Sequence, residues 1–395
     1  MNLIINPTFW GMAIVGCVVL SLGFPGKLIF RFGLFNLLTL IILVGWEISL
    51  VALVFVFFIW TFLALIKNQS NLASRSLVCV GFFIAILFLF FLHKLNLANI
   101  EFSAQLKQAA PWFPIEKLFP FFVTLSFSYI FVRCVDLARS CIWESAPLAD
   151  PISLMGYLMP FHMLLAGPVN SYEEHLQANT NPLSSMTSSK VLIIINEITT
   201  GLFYKFVLAE GIRLYFYGNS GNISATEWYD PFVLLIYTFY DFSGYSKIAR
   251  GIGLLYGIPT PQNFNAPFLA TSVTEFFTRW HMSMGQFVKR NIYIPVQLSL
   301  LRSFGVKWAS VSGLFAMVIS FSFVGLWHGL SWNWFLFGFF MGTLLAAENL
   351  ILTFLIKNKW SQIGNAKIIL NSLGRLYVFL AISFSVYFFI EEMFP

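Results

Sequence analysis

Two of the five histidines directly follow a tryptophan, and these two pairs are the residues best suited to chemistry. Trp280-His281 lies in a basic stretch, and Trp327-His328 lies at the end of an apolar run. An imidazole ring is the usual positioned general base near neutral pH, because its pKa lies close to that pH. His281 and His328 are therefore candidates for proton transfer or for hydrogen bonding to a reacting oxygen.

The other three histidines are weaker candidates. His93 lies at the end of an apolar run, and His175 lies in a polar segment where we expect it to be exposed, so a structural hydrogen bond is the expected role of both. His162 lies inside a short apolar run, and for it packing and function are equally open. No two histidines lie close together in sequence, and the four cysteines lack metal-ligand spacing, so neither a metal nor a bound cofactor is predicted.

The composition shows what must position these side chains. The chain has 395 residues, of which 58% are hydrophobic and 10% are charged, whereas about 25% of the residues of a soluble chain are charged. Apolar runs near the ~20 residues that cross a bilayer recur along the whole length. The sequence therefore predicts an all-α polytopic membrane protein, located in the cell membrane, with membrane lipids and no nucleic acid among its partners.

About eleven apolar segments are candidates for transmembrane helices, and one or two of the shorter ones are expected to be re-entrant. None of the connecting segments has the composition of a soluble domain, so we expect one membrane-embedded domain over residues 1–395. The first segment is expected to be retained, because no basic residue precedes it as in a signal peptide. The segments are 9–24, 29–45, 48–66, 76–92, 119–135, 152–166, 191–214, 231–246, 309–327, 333–356 and 371–390.

The distribution of charge predicts the sidedness of the C-terminal half. Residues 247–307 contain seven Lys or Arg and a single acid, Glu275, and such an excess is typical of cytoplasmic segments. The next basic cluster follows only after two apolar runs. The turn at 328–332 between those runs is therefore expected on the opposite side, with His328 at or below the far face.

The stretch from Ser272 to Arg290 has the pattern of one continuous amphipathic helix. Ser272 and Glu275 have the spacing of a capping box, and Glu275 can pair with Arg279 one turn later. His281 falls at the border of the apolar stripe. Its side of the helix carries the small residues Thr274, Thr278 and Gly285. Such a helix would lie in the membrane interface or beneath the helix bundle, where His281 could point into the protein.

Six short stretches combine these features with recurrent Gly, Pro and Asn between about residues 155 and 345. They are Leu165 to Val169, Asp241 to Ser246, Pro261 to Pro267, Glu275 to Ser283, Tyr293 to Pro295, and Gly325 to Gly329. Each stretch alone is weak evidence, but in this order and spacing they are highly specific. The chain resembles the membrane-bound O-acyltransferase family, in particular its bacterial members that modify polymers outside the cytoplasm.

The resemblance implies a ring of helices around a thinned centre that is pierced by a tunnel. An acyl thioester, either acetyl-coenzyme A or an acyl carrier protein, would enter from the cytoplasm, and an acceptor hydroxyl would enter from the far side. The essential histidine of the family matches His328, which implies a general base. The second recurrent histidine matches His281, which would support the donor or the developing oxyanion. Trp280, Trp327 and Asn265 are the candidates for substrate binding.

The resemblance further implies transfer of an acyl group, preferably acetyl, to an extracytoplasmic polysaccharide or another cell-envelope polymer. No Gly-x-Ser-x-Gly stretch is present, so we expect direct transfer without a covalent enzyme intermediate. An extracytoplasmic acyl-transfer protein remains open as a further partner.

The identity of the acyl group stays open. Residues 296–305 read VQLSLLRSFG, where alginate-type members carry a turn of the Gly-Gly-Asn-Arg type, whereas Leu165 to Pro168 and Tyr293 to Pro295 favour the acetylating branch. D-alanyl transfer from a carrier protein toward teichoic acid is therefore an alternative. A lipid or small-molecule transporter without enzymatic activity is a second alternative.

Overall fold

A computed structural model of the chain describes residues 3–21, 27–98, 125–178, 186–218, 227–357 and 366–387. The residues in these ranges form helices and no β-strand, and the extended backbone among them makes one isolated bridge, between Phe264 and Trp280. The prediction of an all-α chain is confirmed.

We number the described α-helices in chain order. They are α1 (Pro7–Ser21), α2 (Leu28–Val44), α3 (Trp46–Asn68), α4 (Leu72–Ala98), α5 (Phe127–Ile142), α6 (Pro151–Leu158), α7 (Tyr172–Leu176), α8 (Ser188–Phe203), α9 (Glu210–Tyr217), α10 (Asp230–Tyr256), α11 (Val273–Arg279), α12 (Met282–Val288), α13 (Ile294–Phe304), α14 (Ala309–His328), α15 (Trp332–Lys357) and α16 (Ala366–Val386). Two π-helical turns, Tyr204–Ala209 and Lys289–Tyr293, join α8 to α9 and α12 to α13.

Five helical runs are long and apolar enough to cross a membrane, and three shorter helices are also apolar. The long runs are Trp46–Asn68, Ala73–Lys94, Ser188–Tyr217, Val306–His328 and Trp332–Ile351, and the shorter helices are Pro7–Ser21, Leu28–Val44 and Asn371–Val386. Each of them coincides with one of the predicted segments. The count of eleven stays a prediction, and residues 119–124 of the segment 119–135 lie outside the described residues.

The predicted span at 152–166 is wrong. Helix α6 ends at Leu158, and after Pro160 the chain makes only a single 3-10 turn, Phe161–Met163. An eight-residue helix rises about 12 Å, which is less than half of the ~30 Å hydrocarbon core. Pro160 has no backbone N–H to continue the helix, which explains why an apolar run of spanning length does not become a spanning helix.

The described chain comprises two compact units, one of residues 1–198 with 248–261 and the other of residues 199–247 with 262–395. The prediction of a single domain is not tested by this division and stays a prediction. In the second unit, the buried core is formed by apolar side chains from α10, α11, α15 and α16, together with Ala270 just before α11. Its buried members are Leu234, Leu235, Ala270, Val273, Phe276, Met341, Leu345, Val378, Ile382 and Val386.

In the first unit, a buried guanidinium organises the polar contacts. Arg133 on α5 donates from Nη1 to the carbonyl oxygen of Tyr157 at 2.9 Å and to Oδ1 of Asn170 at 2.6 Å. Its Nη2 donates to the carbonyl oxygen of Pro168 at 2.7 Å. One turn later, Asp136 accepts a hydrogen bond from the Tyr157 hydroxyl at 3.1 Å. Because a buried charge is stable only with such partners, this network holds the Gly167-Pro168 stretch against α5.

Candidate active site

One cavity in the second unit is lined by both tryptophan-linked histidines, His281 and His328. Its volume is about 470 Å³, which lies within the range of sites for small ligands. Met317 and His328, both on α14, line it eleven residues apart, so the cavity extends about 16 Å along that helix. Its polar lining residues are Thr274, Thr278, His281, Gln286, Lys289, Tyr293, Ser320, His328 and Asn349.

Glycines bring α14 and α15 close together and so place His328. A Cβ atom on Gly325 would lie 2.1 Å from the carbonyl oxygen of Trp334, and one on Gly338 would lie 2.2 Å from that of Phe321. Small residues at such contacts let helix backbones approach closely in membrane proteins. The two helices can therefore approach this closely only because positions 325 and 338 are glycines, which have no Cβ atom.

His328 is the last residue of α14, and its ring is held by two indoles. The ring of Trp334 on α15 stacks on it with centroids 4.9 Å apart, and the ring of Trp327 meets it edge-on at 4.8 Å. His328 itself is exposed, whereas Trp327 is buried. The imidazole is thus oriented by packing and accessible from the cavity, as a general base must be.

The prediction of one continuous helix from Ser272 to Arg290 is wrong at His281. The chain forms two short helices, α11 and α12, and His281 between them has a left-handed backbone conformation with φ 46° and ψ 49°. A residue other than glycine adopts this conformation at a cost of about 1–2 kcal/mol. Such strained residues cluster at functional sites.

Other parts of that prediction are confirmed. The Ser272 side chain accepts a hydrogen bond from the backbone N–H of Glu275 at 3.0 Å, and Arg279 pairs with the Glu275 carboxylate at 2.8 Å. The other Glu275 oxygen accepts from the backbone N–H of Thr271 at 2.8 Å, so the capping box is not reciprocal. The small residues expected beside His281 all line the cavity with it: Thr274, Thr278 and Gly285.

The turn at His281 is fixed by a segment 18 residues earlier in the chain. Residues 263–265 run antiparallel to residues 279–282, with the backbone N–H of Asn265 donating to Arg279 and that of Met282 donating to Asn263, both at 2.9 Å. The Asn263 side chain is buried, and its Oδ1 accepts from the Ser283 hydroxyl at 2.6 Å. Asn263 lies in the stretch Pro261 to Pro267, but its role in fixing the turn at His281 was not predicted from the sequence.

The stretch Asp241 to Ser246 of α10 also supports His281. The Phe242 ring meets the His281 ring edge-on with centroids 4.7 Å apart. Asp241 is ion-paired with Lys205, and Ser246 accepts a hydrogen bond from the Asn263 amide at 3.1 Å. Gly244 has no room for a side chain, since a Cβ would lie 2.7 Å from the backbone nitrogen of Lys205.

The environment of His281 keeps its ring neutral. The residue lies outside the candidate spans, and burial lowers the pKa of His281 from 6.5 to about 3. Its Nε2 is buried and has no hydrogen-bond partner among the described residues. A neutral imidazole can donate or accept one hydrogen bond at this nitrogen, depending on its tautomer.

The three predicted substrate-binding residues occupy different positions. Trp280 lines the cavity and stacks on Phe276 at 5.3 Å. Trp327 contacts the ring of His328 and does not itself line the cavity. The Asn265 side chain is exposed and lies outside the cavity lining, although its backbone pairs with Arg279. Binding of substrate by these residues stays a prediction.

The remaining histidines have structural surroundings in the first unit. His93 contacts the Ser128 hydroxyl at 3.2 Å, and His162 contacts the Thr260 hydroxyl at 3.3 Å. The expectation that His175 is exposed is wrong. Its side chain is buried, with its ring 5.4 Å from the Tyr157 ring, because the polar segment that carries it folds back over α6.

The chain belongs to the membrane-bound O-acyltransferase family, whose family model matches residues 46–390. It is 25% identical over 264 residues to the teichoic acid D-alanyltransferase of Bacillus subtilis (strain 168), covering 65% of each chain. It is 27% identical over 231 residues to the probable alginate O-acetylase of Azotobacter vinelandii, covering 58% of this chain and 43% of the relative. The peptidoglycan O-acetyltransferase of Helicobacter pylori is 27% identical over 195 residues, covering 48% and 35%.

These matches confirm the family suggested by the short stretches and the bacterial branch within it. The matches span less than two thirds of the length of each of these relatives. Together with the five spanning helical runs, the family identifies a multi-pass protein of the cell membrane.

Proposed function

We propose that this protein is an O-acyltransferase of the bacterial cytoplasmic membrane. It transfers an acyl group, acetyl in the version we favour, from a cytoplasmic thioester to a hydroxyl of an extracytoplasmic polysaccharide or other cell-envelope polymer. Its main support is the single cavity lined by His281 and His328, in a chain of the membrane-bound O-acyltransferase family.

His328 acts as the general base in this reaction. Its imidazole accepts the proton of the acceptor hydroxyl while the oxygen attacks the thioester carbonyl carbon. The carbon–oxygen bond forms, the carbon–sulfur bond breaks, and the proton passes to the leaving thiolate. The stacking of Trp334 and the edge contact of Trp327 limit the orientations of the imidazole, and a base held in place lowers the barrier.

His281 supports the thioester and its oxyanion. Because burial keeps the ring neutral, it can donate a hydrogen bond to the carbonyl oxygen without first losing a proton. A neutral histidine with a lowered pKa acts in this way on carbonyl substrates in other enzymes. The buried Nε2, which has no partner among the described residues, is suited to this contact.

The charge of the cavity favours an uncharged acyl group. Among the described residues that line it, none is Asp or Glu, and Lys289 is the cationic one. A D-alanyl group carries an ammonium ion, which such a lining would repel without offering it a counter-charge. Acetyl carries no charge, and the phosphates of coenzyme A would be attracted by Lys289 and the other basic residues of 247–307.

D-alanyl transfer is the second candidate. It is favoured by the similarity to the Bacillus subtilis enzyme over 65% of both chains. In that case the donor is a carrier protein and the acceptor is a teichoic acid.

Acyl transfer by the purified protein in lipid vesicles tests both versions. Radiolabelled acetyl-coenzyme A and a D-alanyl carrier protein are offered in parallel, each with a polyuronate, a peptidoglycan fragment and a teichoic acid. We expect label from the acetyl donor on one of these polymers, and none with His328→Ala. Transfer of D-alanyl without transfer of acetyl would show that the protein is a D-alanyltransferase and not an acetyltransferase. Passage of small molecules or lipids without polymer labelling would instead indicate a transporter.

A pair of substitutions at Gly285 tests whether this cavity is the reaction site. A Cβ at Gly285 would meet only the carbonyl oxygen of Phe277, at 3.7 Å, which is an ordinary contact. Gly285→Ala should therefore retain transfer, whereas Gly285→Phe should fill the cavity and abolish transfer in a protein that remains folded. Full transfer by Gly285→Phe would place the reaction elsewhere.

A further inference from the structure

A buried carboxylate on α15 holds the beginning of α11, the helix that leads to His281. Glu348 Oε1 accepts a hydrogen bond from the backbone N–H of Val273 at 2.7 Å. Its Oε2 accepts from the backbone N–H of Thr274 at 2.7 Å and from the Thr274 hydroxyl at 2.6 Å. Glu348 is only 7% exposed. Both oxygens are thus engaged by the first turn of α11.

The position of this carboxylate within a membrane-spanning helix is informative. Ionisable side chains inside membrane helices are costly and mark functional regions. Among the described residues, no Lys or Arg forms an ion pair with Glu348. The Ser272 hydroxyl already accepts a hydrogen bond from the backbone N–H of Glu275, the next residue of α11. A neutral hydrogen-bonding side chain at position 348 could therefore have been enough to cap the rest of this turn. Instead a full carboxylate, with three charge-assisted hydrogen bonds, fixes this turn.

Helix α15 contacts the surroundings of both histidines. Near its beginning, Trp334 stacks on His328. About four turns later, Glu348 holds α11, whose seven residues end at the Trp280-His281 turn. The neighbouring Asn349 lines the cavity and contacts the Thr274 hydroxyl at 3.4 Å. Glu348 therefore connects the position of His281 to the helix that orients His328.

We propose that Glu348 is a positioning residue for the acyl transfer, which fixes α11 to α15 and thereby sets the place of His281 relative to His328. This rests on the proposed function for the role of His281. Glu348 does not line the cavity. Its effect is exerted through Thr274 and α11.

The expected loss follows from the geometry of the contact. In Glu348→Gln, an NH₂ group replaces one of the two oxygens that accept hydrogen bonds from Val273 and Thr274. The NH₂ group cannot accept a hydrogen bond from a backbone N–H, so at least one contact is lost. Misplacing a supporting group by a fraction of an ångström to 1 Å reduces turnover by about tenfold to a hundredfold. We expect kcat per folded molecule to fall by about tenfold, with a smaller change in the KM for acetyl-coenzyme A. Glu47→Gln, at an exposed position of α3, is the matched control and should not change either constant.

A double-mutant cycle separates positioning from a merely structural role. If Glu348 acts through His281, Glu348→Gln should cost less than about twofold in a His281→Ala background, because the group it positions is already removed. Losses that multiply in the double variant would overturn the proposal, and so would an unchanged kcat in the single variant. Thr274→Val removes the hydroxyl contacts with Glu348 and Asn349 but keeps both backbone contacts with Glu348, and it should give a smaller loss of the same kind. Thr343→Val, an exposed position on the same helix, is its control.

Hydrogen exchange measures the same contact without any substrate. In Glu348→Gln the amides of residues 273–279 should exchange faster, whereas those of α14 should be unchanged. Unchanged exchange at 273–279 would overturn the proposal. A wild-type protein that transfers no acyl group would refute the proposed function, and the exchange result would still decide whether Glu348 fixes α11.

Discussion

At the scale of single residues, the two histidines differ in surroundings, and the difference supports the roles proposed for them. His328 is exposed at the end of α14, and its ring contacts those of Trp327 and Trp334. His281 has a buried nitrogen and a ring kept neutral by burial. A base must gain and lose a proton in each turnover, whereas an oxyanion donor must keep its own.

Matched substitutions at the two histidines should therefore have different effects. We expect His328→Ala and His328→Gln to lose at least about a hundredfold in transfer rate, because an amide cannot accept the proton. His281→Ala should also weaken transfer strongly, but His281→Gln should recover part of it, because the amide still donates a hydrogen bond. Initial rates at saturating donor provide the comparison. Rescue by glutamine at 328 and not at 281 would reverse the two roles.

The pH dependence provides an independent test of the same assignment. Burial lowers the pKa of His281 from 6.5 to about 3, so its ring stays neutral between about pH 5 and pH 8. Any loss of kcat/KM on acidification within that window belongs to another group, and it should persist unchanged in His281→Gln. Disappearance of the acid limb in His281→Gln would show that His281 is the titrating base.

Stability should respond to pH with a defined sign. The folded pKa of His281 lies below its ordinary value, so the unfolded chain binds the proton more tightly. The contribution of the neutral ring is present above about pH 6.5 and is lost as the pH falls toward the folded pKa. Wild-type protein should therefore lose more thermal stability than His281→Gln between about pH 7 and pH 5, measured by Tm in the same detergent.

At the scale of elements, sequence patterns predicted local structure well where neighbouring residues determine it. The contacts of Ser272 and Arg279 with Glu275 follow from helical spacing, and the structure confirms them. The break at His281 could not be predicted in this way. It is fixed by Asn263 and Asn265, 16 to 18 residues earlier, and a continuous apolar stripe contains no sign of it. The cap from Glu348 is still more distant along the chain.

The contact between α14 and α15 leads to a steric prediction. Gly325→Ala would place a Cβ 2.1 Å from the Trp334 carbonyl oxygen, so the helices must separate, at about 1–3 kcal/mol for such overpacking. We expect lower Tm and a loss of transfer that exceeds the loss of folded protein, because the ring of Trp334 orients His328. Gly81→Ala is the matched control, since a Cβ there meets nothing within 4 Å. Wild-type transfer by Gly325→Ala would show that His328 does not depend on this contact.

At the scale of the whole molecule, composition and charge predicted a multi-pass membrane protein, and the helical structure and the family confirm it. The same patterns wrongly predicted a span at 152–166. Hydropathy does not register that Pro160 ends α6 after about two turns. The tunnel across the membrane and the sidedness of the chain remain predictions that require an experiment on intact cells.

The sidedness prediction decides which histidine faces the donor. Basic residues flank the helical runs Val306–His328 and Trp332–Ile351, so Ser331 between them should face the exterior and Lys359, which lies outside the described residues, should face the cytoplasm. Single cysteines at 331 and 359, in a chain whose four native cysteines are replaced, are treated with a membrane-impermeant maleimide on intact cells. We expect labelling at 331 alone, and labelling of both after the cells are opened. Labelling at 359 but not at 331 would invert the chain and place His328, the proposed base, on the side from which the thioester arrives.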